Sequence, residues 1–386
     1  MHLRWICLTM SIPAVCGAIP QFVLLTGNRC SACHAFPQGS GLRSELGWYS
    51  LHDVGLLRWH QLGLGTLERW WERAGNSLWD GRLLFGIDAR LQGFESHNPA
   101  YASGWRLFPM QGALHVGISP IKALSLRATL NGGRLVFPGQ QRWSASLGIY
   151  PGHGMPELQL GFFRPAVGLH YDDHTMLLSR IPGAQFDSPQ QTYLLAPNFA
   201  QWGALLQWAS LSWLATSVGV FRGGALSAVV LRNPRGESAP VTAATAPVGN
   251  AHLWLTPKLG SWTLSLGGSW LGNRDFWLAH GFAGIGWHDH GALWAEYSRF
   301  RSSSLHRWAV TAEIDLWLWN VMMPYARFEH GRVSDSGWSP APYTTHLVLG
   351  AQLFVLPFVE LRPEYRWADT EGYRSGRVAL QLHVFY

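Results

Sequence analysis

The sequence predicts an all-β protein, a transmembrane antiparallel outer-membrane β-barrel of about 16 strands with a short, partly helical segment before it. Three observations support this fold class. Many segments alternate apolar and polar residues with a period of two. These segments run for about ten residues or more, which is longer than most strands of globular sheets. Aromatic residues gather at their ends, as they do at membrane interfaces.

The composition is consistent with a membrane barrel and excludes several other classes. Only 13% of the residues are charged and 47% are hydrophobic, whereas an average soluble domain carries about 25% charged residues. Disordered chains need more charge and fewer aromatics than this. The net charge of +6 comes almost entirely from arginine and forms no basic run, so no nucleic-acid partner is expected.

Four segments show the alternation most clearly. Their apolar faces are Leu83, Phe85, Ile87, Ala89 and Leu91; Leu124, Leu126, Ala128 and Leu130; Trp308, Val310, Ala312, Ile314, Leu316 and Leu318; and Val359, Leu361, Pro363, Tyr365 and Trp367. The opposite faces carry charged and polar residues of both signs, which suits a polar lumen with paired charges. The strands of a soluble β-sandwich would show the same alternation. Strand length and the placement of the aromatic residues are therefore the observations that favour the barrel.

The ends of the strands predict where the membrane interfaces lie. Trp317, Trp319, Tyr365 and Trp367 stand at strand ends and are expected in the aromatic girdles. The chain stops in an amphipathic strand with an apolar face that ends at Tyr386. Such a final strand resembles the C-terminal signature of bacterial outer-membrane barrels. The predicted location is therefore the bacterial outer membrane, with its lipid as a partner.

Connections between the strands differ in length. Longer ones lie near 165–202, 231–247 and 333–342; the first is long enough to fold inward, and the second, Arg232 to Asn250, is interpreted as a flexible outer loop. Ser119 to Lys122 is interpreted as a short periplasmic turn. Gly203 to Phe221 is uncharged but contains polar residues, so two adjoining strands are predicted there rather than a membrane helix.

The N-terminus resembles a secretory signal. Arg4 is followed by an uncharged apolar stretch that ends in small residues before position 18. The sequence is therefore divided into a signal peptide (1–18), an N-terminal segment (19–80) and a barrel (81–386). Cleavage would remove Cys7 and Cys16 and leave Cys30 and Cys33. An N-terminal membrane anchor is the alternative.

Cys30-Ser31-Ala32-Cys33-His34 is the C-x-x-C-H motif of c-type haem attachment. Two thiols three positions apart reach the two vinyl groups on one porphyrin edge, and the adjacent histidine binds the iron. We therefore predict one covalent haem c with His34 as the proximal ligand. A redox dithiol and half of a zinc site are the alternatives, with His52 or His60 as further zinc ligands.

The second axial ligand is less narrowly defined. No methionine occurs between His34 and Met110, so a ligand from the local segment must be His52, which we favour, or His60. Met110, another barrel residue and an open site remain alternatives. Because 19–80 is short for an independent core, we expect this haem segment in the barrel lumen or its mouth.

Two further stretches of the sequence contain pairs of histidines. His170, Asp172, Asp173 and His174 combine two imidazoles with two carboxylates, which could bind Fe²⁺. A polar lumen loop with paired charges is the alternative. The stretch from His288 to Gly291 is interpreted as a tight turn between strands.

The start of the mature chain resembles the fused monohaem cytochrome c–porins, which include bacterial iron-oxidising outer-membrane cytochromes. The matching residues are Ala18, Pro20, Phe22, Thr26, Gly27, Cys30, Cys33 and His34. The detailed match covers about 17 residues and departs from the family pattern at Val23 to Leu25 and at Pro37 to Arg43. The resemblance implies electron passage from an extracellular donor, such as Fe²⁺, to a periplasmic carrier.

Three functions are consistent with these observations. The first is an outer-membrane electron conduit, an oxidase-type cytochrome, with a single haem in the barrel. The second is a diffusion porin with a haem segment that serves as plug or sensor. The third is a structural or transport barrel with a metal-binding N-terminus.

Overall fold

A computed structural model of the chain forms a closed barrel of 16 antiparallel strands, which confirms the predicted fold class. The structure describes residues 20–28, 30–35, 41–97, 104–132, 141–152, 154–169, 175–182, 194–195, 198–223, 230–232, 238–240, 246–302, 305–334 and 342–386. The predicted signal peptide, 1–18, lies outside the described residues.

The barrel strands follow one another around the wall, each antiparallel to the next. They are β1 Leu83–Ser96, β2 Arg106–Ile121, β3 Leu124–Asn131, β4 Trp143–Ile149, β5 Glu157–Phe163, β6 Gln201–Trp208, β7 Leu214–Phe221, β8 Val248–Leu255, β9 Trp262–Gly272, β10 Phe276–Trp287, β11 Gly291–Ser302, β12 His306–Leu316, β13 Met322–Ser334, β14 Tyr343–Leu356, β15 Val359–Thr370 and β16 Arg374–Phe385. The prediction of two strands between Gly203 and Phe221 is confirmed by β6 and β7.

The barrel closes because the last strand pairs with the first. The register of β1 and β16 runs from Asp88 opposite Phe385 to Ser96 opposite Arg377. Closure gives each strand a hydrogen-bonding neighbour on both sides, which a bilayer requires because it offers no water to unpaired backbone groups. Short additional pairs are Ser77–Leu78, Val230–Arg232 with Ser238–Pro240, and Lys258–Leu259.

Within the described residues, helical elements lie in the N-terminal segment and in one loop. They are α1 Pro20–Thr26, α2 Cys30–Cys33, α3 Glu45–His52, a 3₁₀ turn Trp59–Leu62, α4 Gly65–Ala74 and a second 3₁₀ turn Leu177–Ser179. Among the described residues, no helix is both long and apolar enough to cross a bilayer.

The two faces of the wall have opposite chemistry, as the period-two pattern predicted. On β12, Arg307, Thr311 and Glu313 are buried toward the lumen, while Ile314 and Leu316 are exposed on the outside. The same alternation holds on the other strands named above. The outer face is therefore apolar where lipid would contact it, because charges are costly there.

Tryptophans form two belts on the outside. One belt lies at the end of the barrel with short turns and the other at the end with long loops; the exposed members are Trp213, Trp262, Trp287 and Trp319 in the first, and Trp105, Trp143, Trp202, Trp270 and Trp367 in the second. Short turns face the periplasm and longer loops the exterior in such barrels, which gives the orientation of this chain.

Two aromatic residues expected to be exposed on the outer face are buried instead. Trp317 is buried and its ring meets Phe22 edge-on at 5.4 Å. Tyr386 is buried as well, and its ring stacks on Phe85 at 5.8 Å. Both corrections have one cause: the N-terminal segment fills the inner mouth and offers these rings a packing partner that periodicity could not show.

The connections also differ from expectation in two places. Strand β2 continues through Ser119 to Ile121. The inner turn therefore consists of Lys122 and Ala123, whereas the prediction began it at Ser119. Part of the predicted outer loop 232–250 belongs to the short strand pair and to β8, and the rest lies outside the described residues. The tight turn at His288–His290 is present, with Asp289 at a φ of 59°.

Helix α1 is buried inside the barrel at the inner end. Phe22, Val23, Leu24 and Leu25 are each at most 4% exposed. The backbone N–H of Asp289, in the turn after β10, donates to the Leu25 carbonyl at 3.0 Å. The barrel wall thus buries these four apolar residues, which a segment of this length could not do alone.

Gly286 on β10 makes this close packing possible. A Cβ placed on Gly286 would overlap the Leu24 carbonyl, whereas a Cβ on Gly281 of the same strand would meet nothing within 4 Å. We expect Gly286→Ala to displace α1 at a cost of about 1–3 kcal/mol. Limited proteolysis of the folded barrel measures this as roughly tenfold faster cleavage of the N-terminal segment. Gly281→Ala is the matched control and should leave the cleavage rate unchanged.

Candidate functional site

The C-x-x-C-H segment is held by a small set of backbone contacts. Helix α2 spans Cys30–Cys33, and the Ser44 hydroxyl donates to the Ala32 carbonyl at 2.8 Å. The Ser44 N–H donates to the Cys33 carbonyl at 2.9 Å, and its side chain also accepts from the Gly47 N–H at the start of α3. One serine therefore caps α3 and joins it to the motif.

The motif lies buried at the inner end of the barrel. Cys33 and His34 are 2% and 3% exposed, and His34 forms a β-bridge with Arg43. The Arg43 guanidinium lies 4.7 Å from the ring centroid of Phe385 on the last strand, a cation–π contact. The segment predicted to carry haem is thereby attached to the strand that closes the barrel.

A cavity of about 800 Å³ adjoins His34. Its wall comes from β2–β6 and from the inner turns between them, around Lys122, Pro151 and Ser210. The volume falls within the range of about 300–1,000 Å³ typical of ligand and cofactor sites. The cavity therefore lies at the periplasmic mouth of the barrel, beside His34.

One side of this cavity is polar. Arg127 and Glu157 form a buried ion pair at 2.6 Å, and Gln207 donates to the second Glu157 oxygen at 2.8 Å. The Arg127 guanidinium also hydrogen-bonds the Tyr150 hydroxyl. Lys122 stands exposed at the rim.

The lining also contains apolar residues. They include Leu84, Ile118, Leu126, Pro151 and Met155. Among the described side chains of the motif, only His34 lines the cavity, and its Nε2 atom is buried. Cys33 is 2% exposed and is not part of the lining, so the cavity as described does not fit a haem attached through this motif.

The structure places the other predicted axial ligands away from this cavity. His52 lies at the end of α3, beside Asp53 at 3.2 Å, with its ring 5.2 Å from that of Trp48. Met110 lies seven residues up β2 from the lining residue Gly117, about 23 Å at the rise of a strand. Neither His52 nor Met110 lines the cavity.

His60 is also directed elsewhere. Its Nδ1 lies 2.6 Å from a Glu68 carboxylate oxygen, on an exposed part of the N-terminal segment. Burial raises the pKa of Glu68, but hydrogen bonds from His60 outweigh it and the net pKa lies below the ordinary value. His60 is thus paired with a carboxylate in this structure.

The predicted Fe²⁺ site cannot be located in the structure. His170, Asp172, Asp173 and His174 lie outside the described residues. Across the residues that are described, no group of three or more histidine, cysteine, aspartate or glutamate side chains is arranged to hold a metal ion.

The lumen contains a buried charge network on β12–β15. Arg327 pairs with Glu313 at 3.3 Å and with Glu329 at 3.5 Å. Arg366 pairs with Glu364 at 2.8 Å and with Glu329 at 3.7 Å. Lone buried charges are very costly, so these side chains stabilise one another only as a connected set.

The long loop after β5 folds into the lumen and binds this network, as its length predicted. Arg366 donates to the Thr175 carbonyl at 2.8 Å, and Arg327 donates to the Thr175 hydroxyl at 3.3 Å. Arg307 donates to the Leu178 carbonyl. Nothing in the sequence pattern identified Thr175 or Leu178, because their partners lie more than 120 positions away.

The inward loop and α1 meet inside the barrel. Val23 of α1 and Leu169 of the loop belong to one buried cluster with Trp254 and Phe282 of the wall. Met176 of the loop shares a second buried cluster with Phe22 and Leu24. Described residues from both ends of the barrel thus fill the lumen along β8–β15.

The comparisons with known proteins concern the fold of the barrel and give no information about the C-x-x-C-H motif. Pseudomonas putida OprB superposes with a TM-score of 0.55 at 11% identity and covers 83% of this chain and 97% of its own. Salmonella typhi OmpF in complex with daunomycin superposes with a TM-score of 0.53 at 8% identity, over 80% of this chain and 99% of its own. No family model matches the sequence, and no curated protein matches it.

These similarities concern the fold alone, and the chain's own surface is consistent with it. A closed 16-strand barrel with an apolar outer face and two tryptophan belts is an outer-membrane β-barrel of porin architecture. Its location is the bacterial outer membrane.

Two arginines allow the lumen network to be tested. Arg366 is buried with Glu364, whereas Arg374 on the next strand is exposed and pairs with Asp369 at 3.1 Å. We expect Arg366→Met to cost about 3–5 kcal/mol, because it leaves a carboxylate buried without its partner. Arg374→Met, the control, should cost no more than about 1 kcal/mol. Urea unfolding in detergent micelles measures both; equal losses would contradict the buried network.

Proposed function

We propose that this chain is an outer-membrane electron-transfer protein in which a single covalent haem c is held at the inner mouth of a porin-like barrel. The observation that carries the proposal is the C-x-x-C-H motif from Cys30 to His34, of which Cys33 and His34 are buried at the inner mouth of the barrel. A bound haem supplies reversible one-electron chemistry at its iron. Electrons would come from an extracellular donor, with Fe²⁺ as the first candidate.

The position of the cavity supports delivery to a periplasmic carrier. Its rim is formed by residues of the inner turns, which include Lys122, Ala123, Pro151, Gly152, Gly154 and Met155. A soluble carrier could approach these turns without entering the lumen.

The packing of the lumen favours an electron-transfer protein over an open diffusion pore. Glu313, Glu329 and Arg307 are at most 3% exposed even though they face the inside of the barrel. In a water-filled channel these charges would be hydrated. We infer that solute diffusion along this side of the lumen is blocked.

A diffusion porin is the second candidate. Barrels of 16 strands are wide enough to leave an aqueous channel, and the long loop that folds into the lumen would then narrow that channel. In this case the N-terminal segment would be a plug or a sensor. A structural or transport barrel with a metal at Cys30 and Cys33 differs from both because it would carry no haem.

Covalent haem is the first property to test. In cells competent for cytochrome maturation, the purified protein should retain a haem stain after a denaturing gel and give a c-type reduced-minus-oxidised spectrum. Cys30→Ala with Cys33→Ala should abolish both, while the barrel still shows heat-modifiable mobility. A folded wild-type barrel without covalent haem would refute the electron-transfer proposal.

Electron transfer and diffusion are separated by a second experiment. Wild-type protein in liposomes should oxidise external Fe²⁺ and reduce a trapped acceptor, and the double cysteine variant should not. In planar bilayers the wild type should conduct far less than an open porin barrel. Porin-like conductance in both proteins, without donor oxidation, would favour the diffusion porin instead.

A further inference from the structure

We propose that part of the N-terminal segment lies in the inner leaflet of the outer membrane, where an exposed apolar surface of this segment contacts phospholipid. This surface, the rim patch, consists of Leu56, Leu57, Leu62, Leu64, Leu67 and Trp70. The inference goes beyond the proposed electron transfer and does not depend on haem. It concerns how the segment is anchored beside the barrel.

The side chains of the rim patch are large, apolar and open to the surroundings of the protein. Their exposed fractions run from 36% at Leu67 to 58% at Leu56, and that of Trp70 is 57%. Apolar side chains that are gathered in this way are rare on surfaces that face water, and they mark contact with a membrane or another protein. The rim patch therefore needs an occupant.

Helix α4 separates apolar from charged side chains. Leu67, Trp70 and Trp71 follow one another at helical spacing and share one face. The charged residues at positions 68, 69 and 72 lie on the opposite side. Amphipathic helices with leucine and tryptophan on one face and charges on the other lie in the plane of the membrane interface. The pattern of α4 is therefore that of an interfacial helix.

The two tryptophans of α4 face different surroundings. The Trp71 ring centroid lies 5.8 Å from that of Tyr386 and 6.1 Å from that of Phe358. The Tyr386 hydroxyl also donates to the Gly75 carbonyl, directly after the helix, at 2.6 Å. These contacts attach α4 to the inner end of the barrel, while Trp70 stays exposed beside them.

The rim patch begins at the barrel wall, close to the inner tryptophan belt. The Leu56 N–H donates to the Phe354 carbonyl at 2.9 Å, at the inner end of β14. The Phe354 N–H in turn donates to the Val321 carbonyl at 2.9 Å. Val321 belongs to the turn that carries Trp319, a member of that belt that is 79% exposed. The segment with the rim patch therefore starts at the level of a lipid-facing residue.

This position identifies the occupant as lipid. Tryptophan belts lie at the level of the headgroups, so apolar side chains beside a belt meet the boundary between headgroups and acyl chains. Leucine side chains offer no hydrogen-bond donor or acceptor, and acyl chains require none. Interfacial helices bury their apolar face about 5–10 Å into this boundary. Since the contact is apolar, it should form with lipid that carries no net charge.

Spin labels on opposite faces of α4 test this contact. Leu67→Cys and Glu72→Cys are each introduced into the full-length Cys30→Ala/Cys33→Ala chain, and the parent chain serves as the blank. The labelled barrels are placed in phosphatidylcholine vesicles with a nickel chelate on both sides. The label at position 67 should collide with lipid-soluble oxygen severalfold more often, relative to nickel, than the label at position 72.

A second substitution tests whether the apolar face holds the helix in the lipid. Trp70→Gln should lower the oxygen-to-nickel collision ratio of the label at position 67 toward that at position 72, because interfacial binding scales with the apolar area that is buried. Arg69→Gln, on the charged side of the same helix, is the matched control and should leave the ratio unchanged. Heat-modifiable gel mobility verifies that every variant is folded.

Each of three results would overturn the inference. Ratios that favour nickel at both positions would place the rim patch in water. A label at position 67 that is shielded from oxygen and nickel alike would place the patch under protein, and crosslinking between barrels would then identify a second copy as the occupant. A ratio unaffected by Trp70→Gln would exclude anchoring by the apolar face. None of these results concerns covalent haem, so failure of the proposed function is distinguished by the haem stain.

Discussion

The structure depends on the pairing of its first and last barrel strands. A bilayer provides no hydrogen bonds to an open sheet edge, so β1 and β16 must find each other across almost the whole barrel sequence. Closure then fixes which side chains face lipid and which face one another inside. Each later feature, including the charge network and the cavity, consists of inward side chains that this closure brings together.

The lumen is filled unequally, and this inequality creates the candidate site. Along β8–β15, α1 and the inward loop bury polar and apolar side chains in contact with the wall. Along β2–β6, the wall keeps a cavity, and the C-x-x-C-H segment reaches its edge through His34. The packed side explains why buried arginines must pair, and the open side leaves the cavity beside His34.

Sequence reasoning found the strands and the motif but not their surroundings. Period-two alternation assigned β12 and β15 to the correct faces, because the pattern lies within one strand. It misplaced Trp317 and Tyr386, since alternation cannot reveal a helix that packs against them. The assignment of His52 or His60 as an axial ligand stays a prediction, because it rests on their closeness to His34 in sequence.

The sequence by itself determined the local features: strand length, the two faces of the wall, the C-x-x-C-H spacing and the approximate number of strands. These depend on residues within one element, whose geometry repeats every two or three positions. Only the tertiary structure decided what adjoins His34, which charges pair across β12–β15, and what fills the lumen. Those contacts depend on strand register and barrel closure, which join residues far apart in the chain and leave no periodic trace in the sequence.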